Sequence, residues 1–505
     1  MSTYMYAEYP TVKLYKNKGD KKNAHELLWG DWVKITGAKS GEWYPVHARG
    51  EDGWMKAKDL REDRILEIVF VDVGQGDGCL VVTPEDKHII VDTGASDNMY
   101  RYLKWRYGGF KKNWKFEAAV ISHPDKDHYY GFRKLFEEPN VSFDSVFHNG
   151  IIEAKGKKDE EELGQSQDIG GIRYITELME TQSDLSTFLA DTKRWKDKKS
   201  LLYPDLLNAA MTSGRVANIE MLSTTQGVQK FLPGYTKDKD LSIQILGPVT
   251  ETDGGQRSML RWFKKSGKGS FDKGQTKNGH SVLLRLRYRD VSIMLAGDLN
   301  AAAERFLLKQ HVQQDPPAEN APEEDKLAFI HLARDFFECE ITKSCHHGSA
   351  DFTDLFLQAC NPIATIISSG DEESYAHPRA DTLGAIGKCG RGNRPLIFST
   401  ELARSTRESE PADLQVKLRK KQIELEKADD PEKKKEIKAQ LDKITDKILT
   451  RNVTVYGAIH LRTDGRRVVV AQKLEKERES ASSLQVWDVY RLEPDAQGAL
   501  RLANA

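Results

Sequence analysis

His123-Pro124-Asp125-Lys126-Asp127-His128 places two imidazoles and two carboxylates within six residues, directly after the apolar run Glu117-Ala118-Ala119-Val120-Ile121-Ser122. The run reads as a β-strand, so the hexapeptide reads as a loop that presents its side chains at a sheet edge, open to a ligand. Donors packed this tightly have few structural uses, because unpaired buried charge is costly. Imidazole and carboxylate without thiolate suit Zn²⁺, Mn²⁺ or iron. The alternative, a polar turn with chance histidines, weakens as the rest of the chain is read.

Outward from the hexapeptide, further donors recur where β-type runs end. His148 follows Ser142 to Phe147, and Asp298 closes Leu295-Ala296-Gly297-Asp298 after the run from Val291. His346 and His347 follow Ile341 to Ser344, and His377 comes after Ile363 to Ser369. Any one of these reads as an incidental histidine or aspartate. Donor clusters repeated at the same topological place read as one functional edge. The β-runs alternate with helical patterns, which predicts an α/β layered sandwich.

At 505 residues the chain is expected to hold more than one domain or one large elaborated domain. Charged residues are 30% and the formal net charge is -1, so any nucleic-acid surface has to be local. The five cysteines (Cys79, Cys339, Cys345, Cys360, Cys389) form no CxxC pair, which points to a reducing compartment. Residues 1–10 lack a basic-then-apolar pattern, and no apolar run approaches roughly 18 residues. The expectation is a cytoplasmic protein without a membrane partner.

Residues 1–62 read as short strands and Gly-containing turns. Gly30-Asp31-Trp32-Val33-Lys34-Ile35, Gly41-Glu42-Trp43-Tyr44-Pro45-Val46 and Gly53-Trp54-Met55 resemble a bacterial Src-homology-3-like β-barrel. Its aromatics are open to two readings, a peptide or polysaccharide groove or a very small core. Residues 151–235 read as a polar, mostly helical insertion, and 315–326 as a disordered acidic loop. Residues 411–450 read as a charged helical hairpin, either an interaction arm for a protein partner or a solvated insertion. Residues 451–505 return to strands.

The motifs occur in the order Asp72-Val73-Gly74-Gln75-Gly76-Asp77, Ile90-Val91-Asp92-Thr93-Gly94, the His-x-Asp-x-Asp-His run, Ala296-Gly297-Asp298-Leu299, His346-His347-Gly348-Ser349 and Ala376-His377-Pro378. That order resembles a metallo-β-lactamase-fold hydrolase of the type found in ComEC-like DNA-uptake proteins. The resemblance spans about residues 64–400 and resumes in Gly457-Ala458-Ile459 and Thr463-Asp464-Gly465. It implies an αββα sandwich with a dinuclear site of two divalent ions, zinc or manganese, with magnesium as a third candidate. By resemblance, His123, Asp125 and His148 hold one metal. Asp127 and His128 hold the other, Asp298 bridges, and His347 or His377 completes that second site. Asp92 braces the metal loop, and Asp77 either faces the site or ties its own loop. Asp125 stands where the wider superfamily more often has histidine, which tilts preference toward harder ions.

Paired ions of this kind activate water for in-line attack on a phosphodiester and serve ester hydrolysis equally well. Asp127, His346 and His377 are the catalytic candidates, the histidine left free of metal contacting the scissile phosphate or protonating the leaving group. Residues 101–116 interleave cations and aromatics (Arg101, Lys104, Trp105, Arg106, Lys111 and Lys112 among them) without an acid. That suits single-stranded nucleic acid, or an amphipathic helix with a buried aromatic face. Residues 257–277 add Arg257, Arg261, Lys264, Lys265, Lys268, Lys273 and Lys277 among glycines, a basic loop over the site or a solvated one. The expected function is a metal-dependent phosphodiesterase or nuclease acting on DNA. The alternatives are hydrolysis of a small phosphoester or carboxyl ester, and a non-catalytic scaffold of the same fold.

Overall fold

The computed structural model describes residues 4–503 apart from 197–200, 226–229, 253, 255–257, 266–268, 371–374, 403–411, 429 and 451–452. Arg257 and Lys268 of the basic loop lie outside the described residues.

Two sheets face each other. Leu66, Ile68 and Phe70 alternate along one strand with Glu67 and Val69, and only the first set enters the core between the sheets. This is the period-two pattern of a strand with two unlike faces. The first sheet has ten strands and the second six. Val81, Val91, Val120 and Phe147 from the first meet Ile245, Leu286, Ile293 and Ile366 from the second. On the outer face of the ten-stranded sheet, Val69, Leu80 and Ile90 pack against Met99, Leu103, Phe132 and Leu206 of helices. On the outer face of the six-stranded sheet, Leu283 and Met294 pack against Phe306, Phe329 and Phe356, again on helices. The result is a mixed α/β sandwich with helices outside both sheets.

Each sheet contains a parallel run, and these runs position the site. In the first, His88–Thr93, Trp114–Val120, Val141–His148 and Val216–Met221 are parallel neighbours. In the second, Val291–Leu295, Ile341–Lys343, Ala364–Ile367 and Leu396–Ser399 are parallel. Parallel strands send all their C-terminal ends to one edge, where open α/β sheets bind ligands. Asp92, His123, His148, Asp298, His346 and His347 all lie at or just past such ends. Ile459–Thr463 and Val468–Glu479 extend the first sheet antiparallel beside Leu66–Phe70.

The N-terminal residues form an antiparallel sheet of Tyr4–Ala7, Trp32–Ile35, Trp43–Ala48, Glu51–Lys56 and Leu60–Arg61, with a Thr11–Leu14/His25–Leu28 hairpin. It has its own small core of Val12, Leu14, Leu27, Val33, Val46 and Met55. Trp29 and Ile65 then pack against Val469, Val486 and Trp487 of the large sheet.

Two sequence readings change. Residues 151–235 hold the helices Gln182–Ala190 and Leu202–Thr212, but also the strand pair Ser166–Ile169 and Ile172–Ile175, and Val216–Met221 completes the large sheet. Only Ile219 and Met221 of that edge strand are buried, so its alternation is hidden among polar neighbours. The acidic loop at 315–326 ends inside the helix Glu323–Phe337. Glu323, Glu324 and Asp325 are its first turn, where carboxylates complement the helix dipole. Helices Ala412–Lys427 and Pro431–Thr450 pack on each other, with residues 411 and 429 outside the described residues. No helix among the described residues is long and apolar enough to cross a membrane. The five cysteines are free.

Candidate metal centre

Asp127, His128, Asp298 and His347 each offer a ligand atom within 4.8 Å of the others. Asp298 Oδ2 lies 3.2 Å from His128 Nε2 and 3.2 Å from His347 Nε2. Asp127 Oδ2 lies 3.7 Å from His347 Nε2. The far side of each imidazole is tied down. His128 Nδ1 donates to Asp92 Oδ2 at 2.9 Å, and Asp92 Oδ1 also accepts from Ser122 N at 2.8 Å. His347 Nδ1 faces Asp77 Oδ1 at 3.1 Å and the Ser368 carbonyl at 3.1 Å. An imidazole whose Nδ1 donates to a carboxylate presents its Nε2 lone pair outward, the arrangement that orients histidine on a metal. Both Nε2 atoms, and Asp298 Oδ1, are buried without a hydrogen-bond partner. Asp77, Asp92 and His128 form a second group that could hold an ion, and it shares His128 with the first.

The charge balance calls for a cation. Asp77, Asp92, Asp127 and Asp298 crowd one pocket, and Lys343 is the cation in contact with Asp77, its Nζ 4.0 Å from Asp298 Oδ1. Burial lowers the pKa of His128 and His347, but Asp298 with Asp92, and Asp298 with Asp77, outweigh burial and hold both well above the usual histidine value. Burial raises the carboxyl of Asp298, and His128 and His347 outweigh it to hold it well below the usual range. The pocket thus takes up protons where it lacks a metal. The residues fit a divalent ion bound through Asp127, His128, Asp298 and His347.

The backbone here is tightly held. Asp92, His346 and His347 have φ of +55°, +46° and +52°, the left-handed region that non-glycine residues seldom adopt. Gly76 has φ +102°, and a Cβ on it would sit 1.7 Å from the Asp127 carbonyl oxygen. Gly76→Ala is therefore expected to displace Asp127 and weaken metal affinity by roughly the 10–100-fold that loss of a supporting contact costs. Titration calorimetry checks this, and an unchanged affinity would contradict the placement of the loop.

The residues assigned to a first metal by resemblance do not assemble as ligands. His123, Asp125 and His148 belong to no such group among the described residues. Asp125, partly exposed, is paired with Lys277, which contacts its Oδ1, and with its amide nitrogen turned inward Asn278 donates to Asp125 Oδ2 at 2.9 Å. His148 Nδ1 accepts from Gly150 N at 3.1 Å, so the ring hydrogen sits on Nε2 and the histidine presents a donor where a ligand needs a lone pair. Burial holds its pKa down at about 4, which keeps it neutral. His123 Nδ1 lies 3.2 Å from Ser281 Oγ, leaving its buried Nε2 without a partner 3.6 Å from Asp125 Oδ2.

His347, not His346, joins the cluster; His346 Nε2 stands 3.9 Å from Asp298 Oδ2, at the rim. His377 lies beyond it, ring centroids 5.7 Å apart, under the exposed Tyr375. Burial and the neighbouring His346 and His347 hold its pKa at about 4. Near neutral pH its ring is therefore unprotonated.

The basic stretch at 101–116 does not line the donor edge. Helix Asn98–Arg106 starts there and ends by His88, whose ring stacks on Tyr107 and Trp114 at the start of the strands. Arg106 is ion-paired to buried Glu67 at 2.7 Å, Arg101 to Asp97 at 3.1 Å, and Lys104 donates to Tyr100 Oη at 3.1 Å. Trp105, Lys111 and Lys112 are exposed at that far end. Exposed Lys265 follows Lys264, which lies over Phe271 and lines a cleft of about 460 Å³ with Arg173, Arg261 and Arg305. Lys343 and Lys277 went unassigned as site residues in the sequence. A lysine inside the buried strand Ile341–Lys343 is the signal for the first; in the sequence the second reads only as one cation of the basic stretch 257–277.

No model of a known protein family matches the chain, and no curated protein matches it. Among solved structures, a point mutant of the CmlA beta-hydroxylase is similar at 7% identity and a TM-score of 0.28. The match covers 68% of this chain and 54% of that one, so this chain spans about half the length of the protein it matches. Function has to be sought in the side chains of the site itself.

Proposed function

We propose that this chain is a metal-dependent hydrolase of metallo-β-lactamase fold that cleaves phosphodiesters. The observation that carries the hydrolase reading is the pair of buried, unpartnered Nε2 atoms of His128 and His347 aimed at Asp298. A bound divalent ion would lower the pKa of a coordinated water and polarise the phosphoryl oxygen. Asp127 and Asp298 would orient that water, the Nε2–H of His148 would donate to an oxyanion, and neutral His377 would accept a proton at the rim. The phosphodiester choice is supported by a cation within the site, Lys343, whose Nζ lies 4.0 Å from Asp298 Oδ1. The N-terminal sheet, as a Src-homology-3-like barrel, and the helices of 411–450 would recruit a protein partner or position the enzyme.

The test is hydrolysis by metal-stripped protein resupplied with Mn²⁺, Zn²⁺ or Mg²⁺. The substrates are fluorescent single- and double-stranded DNA and RNA, bis(4-nitrophenyl) phosphate, and a 4-nitrophenyl ester. Metal-dependent cleavage of one or more of the phosphodiesters is the expected result. Turnover of the ester alone would move the chemistry to carboxyl esters, and no turnover with metal bound would overturn the hydrolase reading.

Metal binding should be coupled to protons. His128 and His347 are held protonated above the usual histidine value near 6.5, and the metal must displace those protons. Affinity is expected to rise with pH from about 6.5 upward and to level off above the raised values. Calorimetry at pH 7 in buffers of different ionisation enthalpy should report release of about two protons per metal. Proton-independent binding would contradict the assignment.

A further inference from the structure

We propose that Lys277 supplies a built-in ammonium at the position a second metal would take, so that the chain binds one metal ion and not two. The inference rests on the reading of Asp127, His128, Asp298 and His347 as a metal centre.

Lys277 sits on the short helix Lys273–Gly279, and only 7% of it is exposed. Its Nζ contacts Asp125 Oδ1, accompanied by Glu153 Oε1 at 3.0 Å and the Pro124 carbonyl at 3.3 Å. A lysine ammonium has three hydrogens, and here three oxygens receive them. Glu153 is buried and Asp125 keeps about 28% of its side chain exposed, and a cation between them offsets the repulsion of the two carboxylates. Asp125 is thereby spent as a ligand, since Lys277 takes one oxygen and Asn278 the other. The Gly150 amide that donates to His148 Nδ1 leaves the hydrogen of the neutral ring on Nε2, which is buried without a partner. Of the three donors expected on that side, only His123 Nε2 keeps an open lone pair, and a single imidazole does not retain a divalent ion against water.

The ammonium also has a place in the chemistry. Asp125 lies two residues from Asp127 in the same loop. A fixed positive charge there keeps the loop compact and contributes to the field that a developing phosphoryl charge meets, as a metal would, without exchange with solvent. An ammonium has no open coordination position, so it does not activate water. The water is left to the single metal.

The test is a metal count by mass spectrometry on the full chain, stripped with chelator, reloaded with Mn²⁺ or Zn²⁺ and desalted, for wild type and four variants. Wild type should carry one metal per chain. Lys277→Ala leaves two carboxylates and a vacant space and should carry two. Lys277→Arg keeps the charge and should carry one. Asp125→Asn should leave the count at one, whereas in a dinuclear protein it would drop the count from two. His128→Ala should carry none. Circular dichroism reports whether each variant folds, and if Lys277→Ala does not, the wild-type and Asp125→Asn counts still decide. Two metals in wild type, or one in folded Lys277→Ala, would overturn the proposal. No metal in wild type would instead overturn the metal centre itself, which separates the two failures.

Discussion

Asp298→Ala is expected to leave the chain folded, free of bound metal and without hydrolytic turnover. Asp298 Oδ2 is the atom that both His128 Nε2 and His347 Nε2 approach at 3.2 Å, so the cluster has no centre without it. The loop that carries it is held independently, because Asp298 N donates to Ser281 Oγ at 3.0 Å. Loss of a partner that merely orients a ligand costs roughly 10–100-fold in metal affinity. Loss of a ligand shared by two histidines should exceed that. Mass spectrometry for metal, calorimetry for affinity and circular dichroism for fold measure the three parts separately. Affinity within the range of the wild type would remove Asp298 from the centre.

Glu67→Ala is expected to have the largest effect on stability. Glu67 is 3% exposed and receives Arg106 at 2.7 Å and Arg462 at 2.8 Å. Arg462 also reaches Asp31 of the N-terminal residues at 3.4 Å, and Asp31 holds Arg49 at 2.6 Å. Removing one partner of a buried pair leaves an uncompensated charge, at a cost of roughly 3–5 kcal/mol. Burial raises the Glu67 carboxyl, but Arg106 and Arg462 outweigh it and hold it far below the usual range. Its contribution is fully present above the unfolded value of about 4.3 and is lost as pH falls toward the folded value, so wild type should lose more stability between pH 5 and 3 than the variant does. Urea unfolding at several pH values measures both effects. Metal affinity should not change, because Glu67 pairs with Val82 at the end of the strands away from Asp77. A loss below about 1 kcal/mol would mean that the network is solvated and weak.

The donor edge was legible because it obeys two local rules. Strands reveal themselves through β-rich apolar runs, and parallel strands bring residues distant in sequence to a common end. Asp92, His128, Asp298 and His347 all stand out in this way, and the choice between His346 and His347 needs backbone geometry that no spacing encodes. The lysines were not legible. A lysine in sequence is by default a solvated cation, and only the positions of Asp125, Glu153 and Asp77 turn Lys277 and Lys343 into buried partners. The stretch at 101–116 misled for a related reason. Its cations and aromatics have the composition of a nucleic-acid surface, but helix Asn98–Arg106 carries them to the far edge, where Tyr107 stacks on Trp114 and meets Phe116 edge-on.

An anomalous-scattering experiment on crystals grown with Mn²⁺ tests the centre most directly. The expected result is a peak within bonding distance of Asp127, His128, Asp298 and His347, with the Lys277 side chain still on Asp125. Absence of a peak there at saturating metal, or a peak elsewhere alone, would contradict the account.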